Sequence, residues 1–510
     1  MALRTTCCIR CWLLLLFSIV GLTSGMLALF TASSKHPPPM ASRRKGRYAA
    51  LPTLTVEDKL PLFSTPPNRD DDWTTNDGES SMGINTNVVN EIHNSGLPAT
   101  ESKLSATTNI AKCICGAGSF ALPHVFLEEG IIGGTLALTA CGFLATYTMQ
   151  SLARSKLSVG ATSYVELAQE VLGPAAANTV FFLTLSASLG VCSSYIIFIG
   201  QTLESLSSDV QSTNMVRTLF PDVSTFTWEV ATVSLLFPLT LLRSYKIFAF
   251  TSALGVLAVL GGLLVTLASG IVHEPGGGFL AAVKAVGEQR MWPESLAAGF
   301  GESFGTLAFL FCVNFLTFPI MNSMERPKQD YDGAVANAVV GAALANVVFA
   351  ALCVGFYGEN TADLVLSNLG NGPFLSALKL LLCVDLLFTF PIVFSSGRQI
   401  MELAFIGDGQ LVESESAALP RAGIAAIGVL VCLSLAQIGG FGVVANLVGG
   451  VAQGTLAFVM PPAIAVTLAR RKGSGQVLAG GEIGQFMVGI FGVFVVLSTS
   501  YYTAVGVASG

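Results

Sequence analysis

The chain has 510 residues, 52% hydrophobic and only 11% charged, whereas soluble domains carry charge on about a quarter of their residues. That balance excludes a soluble globular protein, and a net charge of −6, from 32 acidic and 26 basic side chains, supplies no basic field for nucleic acid. At about 20 apolar residues per membrane-spanning helix, the length accommodates eleven spans, their connections and one polar tail.

Residues 1–30 carry Arg4 and Arg10 ahead of an apolar run from Cys11 to Phe30, the pattern of a signal, anchor or organelle-targeting segment. Residues 31–105 follow with Pro37-Pro38-Pro39, a basic cluster at Arg43, Arg44, Lys45 and Arg47, and an acidic run at Asp70-Asp71-Asp72. Such a segment cannot bury enough apolar area to offset its ordering entropy, so a disordered cytosolic tail is expected. Residues 106–510 form the membrane domain. Its apolar windows fall at about 108–127, 131–153, 175–203, 225–242, 247–272, 297–322, 334–357, 374–397, 421–438, 441–468 and 484–507. They are apolar all round, as lipid-embedded helices are, and lack the alternation of a transmembrane barrel.

Assigning the connections alternately to two sides places Arg154, Lys156, Arg243, Lys246, Arg326, Lys328, Arg398, Arg421, Arg470, Arg471 and Lys472 on one side, against Arg217, Lys284, Arg290 and Lys379 on the other. The positive-inside rule then puts the start of the first core span in the cytosol. A cleaved secretory signal would reverse that orientation. The five basic residues after the Cys11–Phe30 run, against two before it, favour an additional anchor instead. The eleven cysteines all lie in or beside apolar stretches, which argues for buried thiols and against a disulfide framework or a structural metal site.

Two windows carry break signals. The first reads NIAKCICGAGSFALP from Asn109 to Pro123, with Gly116-Ala117-Gly118 near mid-membrane. Glycine lowers the cost of unwinding and proline removes a helix hydrogen bond. The freed amides of Gly118, Ser119 and Phe120 make a positive helix start suited to a carboxylate. The sixth window reads FLFCVNFLTFPIMNSMERP from Phe309 to Pro327, with Asn314 five positions before a proline. If spans one to five and six to ten are inverted repeats, the two breaks face one another at the midplane. Carbonyls near Phe311 and Cys312 then suit an ammonium group, and the cavity suits a zwitterion.

Several ordered blocks, among them NIAKCICGAGSFALP, SYVELAQEVLGP, LGVCSSYIIFIGQTL, FPLTLLRSYKIFAFTSALG, FGTLAFLFCVNFLTFPIMNSMERP, GFYGENTADLVLSNL and LLLCVDLLFTFPIVFSSGRQIME, resemble the amino acid/auxin permease family of the amino acid-polyamine-organocation superfamily. The resemblance covers roughly residues 105–507. It implies an all-α integral membrane fold, a leucine-transporter-like inverted-repeat bundle of eleven helices with helices one and six broken. It also implies secondary active amino acid transport by alternating access, coupled to H+ or Na+, with no cofactor. The partners implied are the amino acid substrate and the lipid bilayer, and the setting is a plasma membrane or a vacuole- or lysosome-like endomembrane. Carried over residue by residue, the substrate-binding positions are Cys115, Gly116, Ala117, Gly118, Ser119, Tyr195, Phe309, Phe311 and Cys312, and Asn314 is expected to join them as a hydrogen-bonding member of the pocket. The sequence departs from many relatives at Cys312-Val313-Asn314, where an acidic or small residue is usual, which argues against a carboxylate relay there.

Three carboxylates fall inside the windows, Glu229 and Glu302 near predicted ends and Asp385 deep in the eighth. A charge at that depth costs about 3 kcal/mol or more and usually faces a cavity. Asp385, with Thr389 one turn on and Cys113 in the first span, is the expected ion-coupling group. Lys112 is expected to snorkel to the cytosolic surface, and His124 to sit near the outer mouth. The pocket segments offer Phe309, Phe311 and small residues with no placed charge, which favours neutral substrates. A nutrient sensor signalling through the 31–105 tail would share this pocket. A membrane enzyme is disfavoured, since no H-E-x-x-H motif occurs and Asp385 has no second deep aspartate.

Overall fold

The computed structural model describes residues 101–209, 214–241, 246–273, 279–406, 418–472 and 481–509. The 1–30 segment, nearly all of the 31–105 tail and Arg243 lie outside the described residues. Among the described residues the regular structure is helical, apart from one isolated bridge between Glu101 and Met324. This follows from the composition, because an apolar segment in hydrocarbon must satisfy its backbone internally.

The first helix of the described residues is α1 (Lys103–Ile114), capped by Ser102, whose hydroxyl accepts from the Ser105 amide at 3.3 Å. A 3₁₀ turn over Ala117–Ala121 leads into α2 (Leu122–Glu129). Then come α3 (Ile131–Val159), α4 (Tyr164–Leu172), α5 (Pro174–Ser208), α6 (Met215–Leu219), α7 (Thr225–Thr240), α8 (Lys246–His273) and α9 (Phe279–Glu288). After α10 (Leu296–Phe311) a second 3₁₀ turn, Asn314–Leu316, precedes α11 (Thr317–Ser323). The chain continues with α12 (Pro327–Tyr357), α13 (Pro373–Ile406), α14 (Ala418–Ala436) and α15 (Phe441–Leu447). Two π-helical stretches, Val448–Gln453 and Thr455–Val459, run into α16 (Met460–Lys472), and α17 (Gly481–Ser509) closes the bundle.

Eight of these helices or joined helices are long and apolar enough to cross a membrane, and the pair α1 and α2, bent by 41°, makes a ninth if counted as one span. The windows at 225–242 and 247–272 are filled by α7, of 16 residues, and by α8, of 28. The chain is therefore a multi-pass membrane protein.

The α5 helix lies among α7, α13 and α14, while α12 packs against α1 and α3. Basic side chains fasten both ends of the bundle. At one end Arg154 meets Asp332 at 3.2 Å, Lys156 donates to Asn322 Oδ1 at 2.7 Å and Arg326 meets Asp330 at 3.4 Å. At the other, Arg290 donates to the carbonyls of Leu127 and Glu128 at 2.9 and 3.0 Å.

Candidate functional site

Both breaks form where the sequence places small or polar residues ahead of a proline, and their backbones are alike. At the first, the amides of Cys115, Gly116 and Ser119 donate to the carbonyls of Ala111, Ile114 and Gly116; at the second, those of Cys312, Val313 and Leu316 donate to Ala308, Phe311 and Val313. An i to i−4 bond, an i to i−2 bond and an i to i−3 bond thus recur in the same order at equivalent positions. Pro123 falls within the first two positions of α2 and Pro319 in the first turn of α11, so each proline starts the following half-helix, where no amide donor is needed.

The breaks border a cavity of about 760 Å³. Cys113, Cys115, Gly116, Ala117 and Gly118 line it from the first break, and Phe309, Leu310 and Val313 from the second. The first amides of a helix have no intrahelical acceptor, so Ala117 and Gly118 present donors at this surface. Tyr195 of α5 and Asp385 and Thr389 of α13 complete the wall. Thr389 Oγ1 donates to Asp385 Oδ1 at 3.5 Å. Gly255 of α8 lies so close that a Cβ there would fall on the Asp385 carboxylate. Lys112 lines the same cavity, and its charge acts on Asp385, so it faces inward as well as toward the surface.

Other expected residues lie outside this lining. Ser119 is fully buried with its hydroxyl unpartnered. Phe311 and Cys312 pack into the apolar cluster formed with α3 and α12. Asn314, also fully buried, donates from Nδ2 to Thr148 Oγ1 of α3 at 2.9 Å. Glu229 accepts a hydrogen bond from Gln437 Nε2, away from the cavity. The side chain of Glu302 lies outside the described residues.

The cavity extends to the exposed residues Thr108 and Asn109 at the α1 end. On the other side stands a chain of aromatic rings. Phe309 meets Phe441, Phe441 meets Phe198, and Phe198 meets Phe120, with centroids 6.0 to 6.2 Å apart. Beyond them, His124 Nε2 lies 3.3 Å from Glu128 and 3.5 Å from Asp363, while its Nδ1 lies 3.2 Å from the Thr361 carbonyl. These contacts tie α2 to the segment after α12.

Two broken helices around a shared cavity, in a chain of many apolar helices, suit a small-molecule carrier. A model of the family described as transmembrane amino acid transporter protein matches residues 99–505. The chain belongs to this family. Its members are transporters rather than enzymes, so the enzyme alternative falls away. The transporter is 26% identical over 476 residues to the amino acid transporter ANT1 of Arabidopsis thaliana, covering 90% of this chain and 99% of the relative. It is 28% identical over 319 residues to amino acid transporter AVT3B of the same plant, covering 60% and 72%. It is 23% identical over 303 residues to vacuolar amino acid transporter 7 of Saccharomyces cerevisiae, covering 58% of each chain.

The transporter also holds polar groups that sequence reasoning missed. Asn346 of α12, 1% exposed, donates to Cys115 Sγ at 3.7 Å. Gln453 lines the cavity from the π-helical stretch. Glu128 accepts from Ser303 at 2.6 Å. Neither Asn346 nor Gln453 carries a charge that would stand out in an apolar window. Among the described residues all cysteines are free and no three His, Cys, Asp or Glu side chains group to hold a metal ion.

Proposed function

We propose that the protein is a secondary active transporter of neutral amino acids, driven by a proton or sodium gradient and working by alternating access through eleven spans of the leucine-transporter type. The observation that carries this reading is the shared cavity between two breaks of like backbone geometry. Amide donors at Ala117 and Gly118 suit the substrate carboxylate, and the C-terminal carbonyls of α10 around Phe309 and Leu310 suit its ammonium group. Ser119, Phe311, Cys312 and Asn314 then support the breaks from behind, while Cys115, Tyr195 and Phe309 meet the substrate.

Coupling is assigned to Asp385 with Thr389 and the backbone beside Cys113, all of which border the same cavity. An ion bound there acts on the carrier through its differential affinity for the two states. With the α1 end in the cytosol, the route past Thr108 and Asn109 is an inward-open one. A vacuole-like endomembrane agrees with the similarity to the vacuolar transporter of yeast. Uptake into proteoliposomes with an amino acid panel, under proton and sodium gradients imposed separately, tests the reading. Concentrative uptake of neutral amino acids under one gradient is expected. Transport confined to lysine or glutamate, or independent of both gradients, would overturn it.

A further inference from the structure

Gln453, a polar side chain of the cavity lining, leaves hydrogen-bonding capacity that the protein does not use. Gln453 is 3% exposed, borders the cavity and has no partner for its Oε1. Three other hydroxyls of the cavity lining are committed to backbone carbonyls. Ser188 donates to Val393 at 2.8 Å, Thr184 to Val180 at 2.8 Å and Tyr164 to Leu456 at 2.7 Å. A buried polar group without a partner is costly, and its retention in a residue that borders a binding cavity points to a ligand that completes the carboxamide.

The backbone under Gln453 is equally unusual. It ends the π-helical stretch Val448–Gln453, and π-helical turns concentrate at functional sites because they re-aim the residues they carry. Packing holds the stretch in place. A Cβ on Gly449 would fall on the Gly305 carbonyl and the Phe309 amide of α10, and one on Gly450 would fall on Thr499 of α17. Gln453 therefore stands one turn from a residue whose backbone touches the second break.

We propose that Gln453 determines specificity, its carboxamide pairing with the side chain of the bound amino acid so that hydroxyl- and carboxamide-bearing substrates are preferred over aliphatic ones of equal size. This rests on the amino acid site proposed above and adds a residue and a substrate class to it. A site built to pair with a polar side chain rejects the apolar isostere because its own group is then left unsatisfied.

The test is competitive uptake by the full-length protein in proteoliposomes, comparing threonine with valine and asparagine with leucine. The parent is expected to favour the polar member of each pair by about tenfold, the usual effect of one buried hydrogen bond. Gln453→Met and Gln453→Leu, which keep the bulk, should bring both ratios close to one while valine and leucine uptake persists. Unchanged ratios in either inserted variant would overturn the proposal while leaving the amino acid site standing. Should neither variant insert, the parent decides alone, and a threonine-to-valine ratio of one or less overturns the proposal. A parent that takes up no neutral amino acid refutes the site itself, and this proposal falls with it.

Discussion

Gly118→Val tests whether the two breaks act together. A Cβ at Gly118 would lie 2.9 Å from Leu310 Cδ1 and 3.5 Å from Phe309 Cδ1, so the added atoms press one break against the other. Leu310 is only 3% exposed and borders the cavity, so relief of the clash moves it into the substrate space. Overpacking of this kind costs about 1–3 kcal/mol. If the strain falls on this state of the carrier and not on its alternative, the balance between them shifts by about 5- to 150-fold. Each spanning helix still forms its own hydrogen bonds, so insertion should be normal. Uptake at equal membrane abundance is expected to fall at least tenfold, and Leu310→Ala in the same chain should restore part of it. Gly116→Ala serves as control, because a Cβ there meets nothing nearer than the Cys113 carbonyl at 3.7 Å. Normal transport by Gly118→Val, or equal damage from Gly116→Ala, would refute the reasoning.

Asp385→Asn should abolish gradient-driven accumulation while counterflow exchange of labelled for unlabelled substrate persists; steep accumulation by the variant would make Asp385 structural. Gly255→Ala, which puts a methyl group onto that carboxylate, should reproduce the same split between the two assays, and failure to do so would separate α8 from coupling. Asn314→Leu removes the bond to Thr148, whose hydroxyl keeps its donation to the Ala145 carbonyl at 3.1 Å, so thermal stability should fall by about 0.5–1.5 kcal/mol while the apparent KM stays unchanged; a large KM change would return Asn314 to the substrate site. His124→Ala removes the contacts of α2 with Asp363 and Thr361, together with the pair to Glu128 within the same helix. Because partly exposed pairs contribute little each, labelling of Cys115 by an impermeant thiol reagent from that face should rise only a few-fold, and no rise would exclude the cluster as a seal.

Much of the site's backbone was legible locally. Gly116-Ala117-Gly118 ahead of Pro123, and Asn314 ahead of Pro319, mark interruptions by their own chemistry, and both occur where that pattern places them. Which side chains face the cavity was not legible, because it depends on how each half-helix is rotated after the break. Thus Phe309 lines the cavity while Phe311 and Asn314 turn into the contacts with α3 and α12. Gln453 was missed for a related reason. Its placement comes from a π-helical stretch held by Gly449 against α10 and Gly450 against α17, contacts between segments far apart in the chain.

By itself the sequence determined that the chain enters a membrane as a series of helices, since 52% hydrophobic residues in long uniform runs leave the backbone no other way to satisfy its polar groups. It also determined where two of those helices break, because glycine, proline and a lone polar residue act over a few positions. Tertiary structure alone decided that the breaks share one cavity, that Asp385 faces it across from Gly255, and that Asn314 turns away to Thr148. Hydropathy is a property of each segment taken alone, whereas the direction of a side chain in a helix that is apolar all round is set by the neighbour against which it packs.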